Sequence, residues 1–211
     1  MDKNVDLIFV RHGQSYGNAN LPDAPDFHPD DPPLTPLGLW QAECLKERFA
    51  PGEVTKIYAS TLLRTVQTVH PTAEKMGLPI TLLPDLREVG TKIGGTSAEV
   101  LREKTPLAIP CESAPLPFPE TTAQLEARAE RAIRNILDEA VNDDVILIAT
   151  HGGFFGYLLR EVLGISLPET FSWQVLNCSV THIWLAPDAL PKLICAGDVS
   201  FLYEKNHNHS K

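Results

Sequence analysis

Short apolar runs alternate along the chain with longer stretches in which apolar residues return every three or four positions. Val5–Val10 is the first short run, and a glycine-containing turn follows it at once. Val145–Ala149 repeats the design before Thr150-His151-Gly152-Gly153. Such runs, β-branched and closed by turn residues, read as buried strands. Lys56–Ser60 and Leu78–Leu83 are weaker strand candidates, and Thr181–Ala186 with Lys192–Cys195 forms a late pair around a turn at Pro187–Pro191. The periodic stretches predict helices over Leu37–Phe49, Leu62–Met76, Thr121–Val141 and Phe154–Leu163. Thr35-Pro36 offers the first of these an N-cap and an opening proline. Ser60 or Thr61 caps the second, which Gly77 ends; Thr121 or Thr122 caps the third; Gly164 stops the fourth. Strands alternating with helices imply a mainly parallel sheet covered on both faces.

Two segments break the pattern. Ala19–Pro36 and Thr105–Glu120 are proline-rich and lack an apolar period, so ordered loops without ladder pairing are expected there. Long irregular segments in an α/β domain often rim an active site, and both are placed near one. No internal repeat or linker divides the chain. The expectation is one domain over residues 1–204, carrying loops 19–36 and 105–120, and a flexible tail over 205–211.

Composition narrows the classes further. With 43% hydrophobic and 21% charged residues in 211, the chain can offset its conformational entropy and is not a disordered one. Its 18 Lys and Arg against 27 Asp and Glu leave a net charge of -9, with a pI near 5.2. Neither nucleic acid nor an anionic membrane is an expected partner for such a body. No apolar run approaches the roughly 18 residues of a membrane span. Met1–Asp6 lacks the apolar stretch of a signal peptide, which makes the cytoplasm the expected location. Cys44, Cys111, Cys178 and Cys195 stand far apart without a paired motif, so neither a disulfide framework nor a zinc site is expected. Asp23, Asp26, His28, Asp30 and Asp31 cluster in the first loop, and His207 and His209 lie in the tail. A solvated acidic loop and a frayed terminus account for both; no metal and no cofactor are expected.

Any anion site must therefore be a local concentration of positive charge, and three segments supply one. Arg11-His12-Gly13 falls where the first strand ends, the end at which open α/β sheets bind ligands. Arginine presents a planar fork to phosphate oxygens, and neutral histidine is a nitrogen nucleophile. His151 occupies the matching place after Val145–Ala149, and Gly152 opens the next helix, whose N-terminal amides form an anion cradle. Arg64 lies in the first turn of the helix after Ser60-Thr61, where the helix dipole disfavours a cation unless an anion binds there.

In this arrangement the chain resembles the histidine phosphatase superfamily, the phosphoglycerate-mutase-like fold. The matching residues are Arg11-His12-Gly13-Gln14-Ser15 with Asn18, Leu34-Thr35 with Gly38 and Gln41-Ala42, and Ser60 through Thr65 with Gln67-Thr68. Leu86-Arg87-Glu88 and Thr150-His151-Gly152-Gly153 complete them in the family's order, from Val5 to about Leu163. The resemblance implies an α/β three-layer α/β/α sandwich. It implies that His12 attacks phosphorus to form phosphohistidine, that Arg11, Arg64, His151, Asn18 and Gly152 surround the phosphoryl oxygens, and that Glu88 protonates the leaving group. A surface role for Glu88 stays open beside Asp85, Glu99 and Glu103, and so does a pocket contact for Asn177. His70, His28 and His182 lack a partner motif and read as structural or surface residues.

The chain departs from the family after Glu88. Many phosphatases of the superfamily carry an aromatic and acidic stretch there; this sequence has Val89-Gly90-Thr91-Lys92-Ile93-Gly94-Gly95. The mutases carry a longer insertion with paired arginines, whereas here Arg102 and Lys104 precede an apolar, proline-rich run. Hydrolysis of a small phosphorylated metabolite, releasing inorganic phosphate, therefore ranks ahead of mutase-type transfer, and both rank ahead of a phospho-ligand binding module without turnover. Leu107, Ile109, Leu116 and Phe118 point to an apolar or mixed leaving group. A homodimer is compatible with the sequence, which does not decide it.

Overall fold

A computed structural model describes residues 3–19, 21, 30–111, 116–166 and 173–207, with side chains to Tyr203. Strands β1 (Val5–Arg11), β2 (Lys56–Ala59), β3 (Ile80–Leu82) and β4 (Ala108–Ile109) interleave with helices α1 (Pro36–Arg48), α2 (Leu63–Met76) and α3 (Ala98–Lys104). Helix α4 (Thr122–Glu139), strand β5 (Asp144–Thr150), helix α5 (Gly152–Leu163), strands β6 (Val180–Leu185) and β7 (Lys192–Asp198) and helix α6 (Ser200–His207) follow. The seven-stranded sheet runs β4-β3-β2-β5-β1-β6-β7. It is parallel from β4 to β1 and antiparallel where β6 and β7 join.

The two most apolar runs take the middle because only a central strand buries both of its faces. Val5, Leu7 and Phe9 of β1, with Ile146 and Ile148 of β5, pack under α4 and α5. The alternate residues Ile8, Val10, Leu147 and Ala149 pack under α1 and α2, with Leu101 of α3 and Phe201 of α6 in the same layer. This is the expected three-layer sandwich. Because β1 and β5 are parallel and in register to Arg11 and Thr150, their carboxyl ends deliver His12 and His151 side by side.

Local chemistry sets most helix ends. Thr35 caps α1 through a 3.1 Å bond from the Gly38 amide, and Thr121 closes a capping box with Gln124 on α4. Gly77 and Gly164 end α2 and α5 in the left-handed region. The second helix differs from expectation: neither Ser60 nor Thr61 is its cap, and the N-cap residue Leu62 has no capping side chain.

The expected loop Thr105–Glu120 is interrupted by β4, which pairs with β3 at the sheet edge and is bounded by Pro106 and Pro110. An edge strand needs partners on one side only, so prolines at its ends are tolerated. Helix α3 was not legible because a single buried residue, Leu101, anchors its seven positions. Strand β7 runs on to Asp198, and α6 continues through His207 into the segment expected as tail. Asp23, Asp26, His28 and His209 lie outside the described residues. Among those described, no group of three potential ligands could hold a metal. No described helix is long and apolar enough to cross a membrane. Among the described residues Cys44, Cys111, Cys178 and Cys195 form no disulfide, and Cys44 and Cys178 are buried.

Leu7 sits between Ile146 and Ile183 with no exposure, so Leu7→Ala should cost about 2–5 kcal/mol through lost transfer energy and a cavity. Thr121→Ala loses only a surface cap and should cost about 1 kcal/mol. Urea unfolding of the two variants measures both.

Candidate active site

Beyond the carboxyl ends of β1 and β5 the His12 and His151 rings lie 5.1 Å apart, inclined by 59°, and both are essentially buried. His12 Nδ1 donates to the Gly13 carbonyl at 2.7 Å, so the lone pair is on Nε2. Ser60 Oγ accepts the Leu62 amide at 3.3 Å and stands 2.8 Å from His151 Nε2. With the Ser60 proton given to Nε2, the His151 ring hydrogen falls on Nδ1, a buried atom with no partner among the described residues. One ring thus offers a nucleophilic nitrogen and the other a donor.

Two guanidinium groups complete the cluster. Arg11 donates through Nη1 to the Val175 carbonyl at 2.6 Å, while its buried Nε has no partner among the described residues. The guanidinium of Arg64, 9% exposed in the first turn of α2, makes no hydrogen bond or ion pair with the described residues. Burial first, and the Arg64 and Arg11 charges with it, hold His12 well below its usual 6.5 against the opposing Gly13 bond. His151 is lowered well below 6.5 by burial first, then by Arg64, His12, Arg11 and Arg128. Both rings are therefore neutral at physiological pH while the guanidinium groups stay charged.

Other motif residues hold the frame. Thr68 accepts the Gly13 amide at 2.9 Å and donates to the Arg64 carbonyl at 2.6 Å, tying the turn after His12 to α2. Gln41 accepts the Gln14 amide at 2.8 Å, and Gln67 accepts the Leu34 amide at 2.9 Å. Thr35 and Pro33 bond back to Gln14 and Tyr16, which lays the end of the Ala19–Pro36 loop beside His12. Asn18 Oδ1 is taken by Ser15 and Asn177, which leaves its amide hydrogens free to donate. Asn177 also donates to the His12 carbonyl at 3.0 Å, so it braces the site from behind.

Glu88 reaches the same rim. Its carboxylate accepts the Val89 amide at 2.9 Å and the Gly153 amide at 3.1 Å. The head of α5 lies close against the site: a Cβ at Gly153 would stand 2.6 Å from Glu88 Oε1 and push that carboxylate aside, and one at Gly152 would stand 3.2 Å from Arg11 Nε. Asp85 faces Arg131, and Glu103 pairs with Lys104 on exposed α3, so neither joins the cluster. Phe118 approaches the Gly90 turn beside Glu88 and carries Lys92 over its ring at 5.0 Å. Leu107 instead packs beneath α1 and α2, and Ile109 is on the exposed sheet edge.

The sequence reading missed the Arg128–Glu120 pair. Arg128 falls on the apolar stripe of α4 with Leu125, Ala129 and Ala132, an anomaly visible in the periodicity. It is 1% exposed, binds Glu120 at 2.8 and 2.9 Å, and donates to the Asp85 and Arg87 carbonyls at 3.0 and 2.7 Å. Stacked 3.7 Å over Phe154, it clamps the turn that presents Glu88.

A mostly parallel α/β sheet with paired imidazoles and convergent arginines at its carboxyl edge defines a phosphoryl-transfer class of protein. This chain belongs to the histidine phosphatase superfamily (branch 1), whose sequence profile matches residues 7–192. It is 29% identical to a probable phosphoglycerate mutase GpmB of Enterobacter sp. (strain 638), over 94% of this chain and 95% of the relative. The corresponding protein of Yersinia pestis (strain Pestoides F) is 27% identical over the same shares. Among solved structures, phosphoglycerate mutase from Bacillus anthracis str. Sterne superposes with a TM-score of 0.69 at 21% identity, covering 97% of this chain and 98% of that one. Phosphoserine phosphatase from Entamoeba histolytica, in complex with 3-phosphoglyceric acid, does so with 0.66 at 19%, covering 94% and 99%.

Two outcomes follow. Glu120→Ala strands the Arg128 charge in a buried site and should cost about 3–5 kcal/mol in urea unfolding. Because both folded imidazoles sit below the unfolded value of 6.5, the unfolded chain takes up protons that they refuse. Their contribution to stability is complete above pH 6.5 and lost as pH falls below it, so His12→Gln should flatten that part of the acid decline in urea midpoints.

Proposed function

We propose that this chain is a phosphomonoester hydrolase acting through phosphohistidine on a small phosphorylated metabolite. The observation that carries the reading is the set of buried donors without acceptors among the described residues, Nδ1 of His151, Nε of Arg11 and the Arg64 guanidinium, gathered around a neutral His12. A tetrahedral oxyanion satisfies all three, and donors aimed where charge spreads are what phosphoryl transfer needs.

The lone pair of His12 Nε2 forms the P–N bond as the P–O bond to the leaving group breaks. Arg11, Arg64, His151 and the Asn18 amide hold the non-bridging oxygens, and the Gly152 amide adds the positive end of α5. Glu88, protonated, gives its proton to the departing alkoxide. Water then attacks phosphorus and gives its own proton to Glu88; the P–N bond breaks, His12 is regenerated and inorganic phosphate leaves. No step calls for a metal or cofactor.

A second reading, transfer between hydroxyls, is favoured by the names of the curated relatives. It ranks lower because a polyanionic acceptor needs cations near Glu88. Arg87 is turned inward onto the Pro84, Ile93 and Gly94 carbonyls, and residues 105–120 contain no Lys or Arg. The cation beside the Glu88 turn is Lys92, held over Phe118.

Incubation with a phosphomonoester should leave acid-labile, alkali-stable phosphate on the protein, abolished in His12→Ala. Glu88→Gln should slow alkyl phosphate hydrolysis by about 10²–10⁴-fold. With p-nitrophenyl phosphate, whose leaving group needs no proton, the loss should stay below about tenfold. Equal losses on both substrates exclude the acid role; absence of labelling makes the chain a binding module; and phosphate passed to a hydroxyl rather than to water makes it a mutase.

A further inference from the structure

Asp31, in the segment before α1, is 4% exposed. Its Oδ1 accepts the Leu63 amide at 2.9 Å across 32 residues of chain, and its Oδ2 accepts the Thr96 hydroxyl at 2.6 Å. Leu63 is the first residue of α2, whose N-cap position, Leu62, has no side-chain oxygen to offer. The missing cap is thus supplied from another segment, and the residue that follows Leu63 is Arg64. The Asp31 charge also opposes the lowering that burial imposes on Arg64.

The Thr96 bond reaches the other side of the site. Thr96 ends the strap that begins at Glu88, and its amide donates to the Thr61 carbonyl at 2.8 Å. Thr61 Oγ1 donates in turn to the Gly94 carbonyl at 2.8 Å, which also accepts Arg87 at 3.0 Å. Between them Gly95 has φ 149°, and a Cβ there would stand 2.5 Å from Thr61, so only glycine lets the strap lie so close. One buried carboxylate therefore joins the helix start that carries Arg64 to the strap that carries Glu88.

We infer that Asp31 is a positioning residue of the phosphate site: its hydrogen bonds to Leu63 and Thr96 fix Arg64 and Glu88 relative to one another. The inference rests on the reading of His12 and its neighbours as a phosphate site. It assigns the effect to the bonds and not to the charge. Asparagine keeps both, since its Oδ1 accepts the Leu63 amide and its Nδ2 donates to Thr96 Oγ1.

The test compares Asp31→Ala and Asp31→Asn with the wild type by calorimetric titration of inorganic phosphate and by kcat/KM on p-nitrophenyl phosphate, well below the melting temperature of each. Asp31→Ala should weaken phosphate binding and lower kcat/KM by about 10- to 100-fold, the scale of a small displacement of a catalytic donor. Asp31→Asn should stay within about threefold of wild type, because the two residues are equivalent caps. Should Asp31→Ala not fold, Asp31→Glu displaces the same cap by one methylene and must show the same direction of loss. A folded Asp31→Ala with wild-type phosphate affinity and kcat/KM, whatever its melting temperature, overturns the inference and leaves the hydrolase reading intact. So does an Asp31→Asn as impaired as the alanine variant. A wild type that binds phosphate but turns nothing over removes the hydrolase reading, and the dependence of binding on Asp31 still decides this one.

Discussion

Positive charge and hydrogen-bond donors are held out of water at the carboxyl end of β1 and β5 with too few protein acceptors to satisfy them. Among the described residues, buried Arg11 Nε and His151 Nδ1 find no hydrogen-bond partner, and the nine-tenths buried Arg64 guanidinium makes no hydrogen bond. Buried donors left unpaired cost free energy, and a folded chain bears that cost only where the remaining packing is secure. The same desolvation lowers both imidazoles, so His12 and His151 are neutral where an exposed histidine would be partly protonated. Unsatisfied donors and available lone pair have one physical origin, which is burial beside two arginines.

The rest of the fold keeps that cluster from collapsing on itself. Arg11 ends β1 and His12 follows it, and His151 and Gly152 follow the parallel neighbour β5 at the centre of the sheet, so the backbone positions follow from the register of two largely buried strands. Side-chain bonds from distant segments then lock the intervening turns. Thr68 joins the Gly13 turn to α2, Ser60 orients His151, and Asn177 and Asn18 close the back. Arg128 does for the Glu88 turn what these residues do for the histidines, at the cost of a buried ion pair with Glu120. Preorganisation of this kind lets donors act on developing charge without reorganising.

An acidic surface and a cationic site are compatible because the cationic groups are few and enclosed. Net charge -9 is spread over the body, while Arg11 and Arg64 act at short range in a region of low dielectric. That contrast suits a small anion able to enter the site and disfavours an extended polyanion lying across the surface. Beside Glu88 the Gly90 turn, Phe118 and Lys92 give an apolar ring with a single cation above it.

Much of this was readable in the one-dimensional pattern. The central strands, the four long helices and the family of the chain follow from apolar periodicity, glycine stops and short motifs, because each depends on residues adjacent in sequence. His12, His151, Arg11 and Arg64 could be picked out for the same reason: each directly follows a strand or opens a helix. What the pattern did not contain is what depends on long-range pairing. Helix α3 and strand β4 are too short for a period to register and exist through contacts with the sheet edge. The cap of α2 comes from Asp31 rather than from Ser60 or Thr61, and the partner of Arg128 from Glu120, because a buried polar group takes whichever acceptor the folded chain brings to it. Local sequence thus determined which elements form and where the reactive side chains sit on them; only the packed structure decided which carboxylates and carbonyls hold those side chains, since burial turns a distant residue into a neighbour.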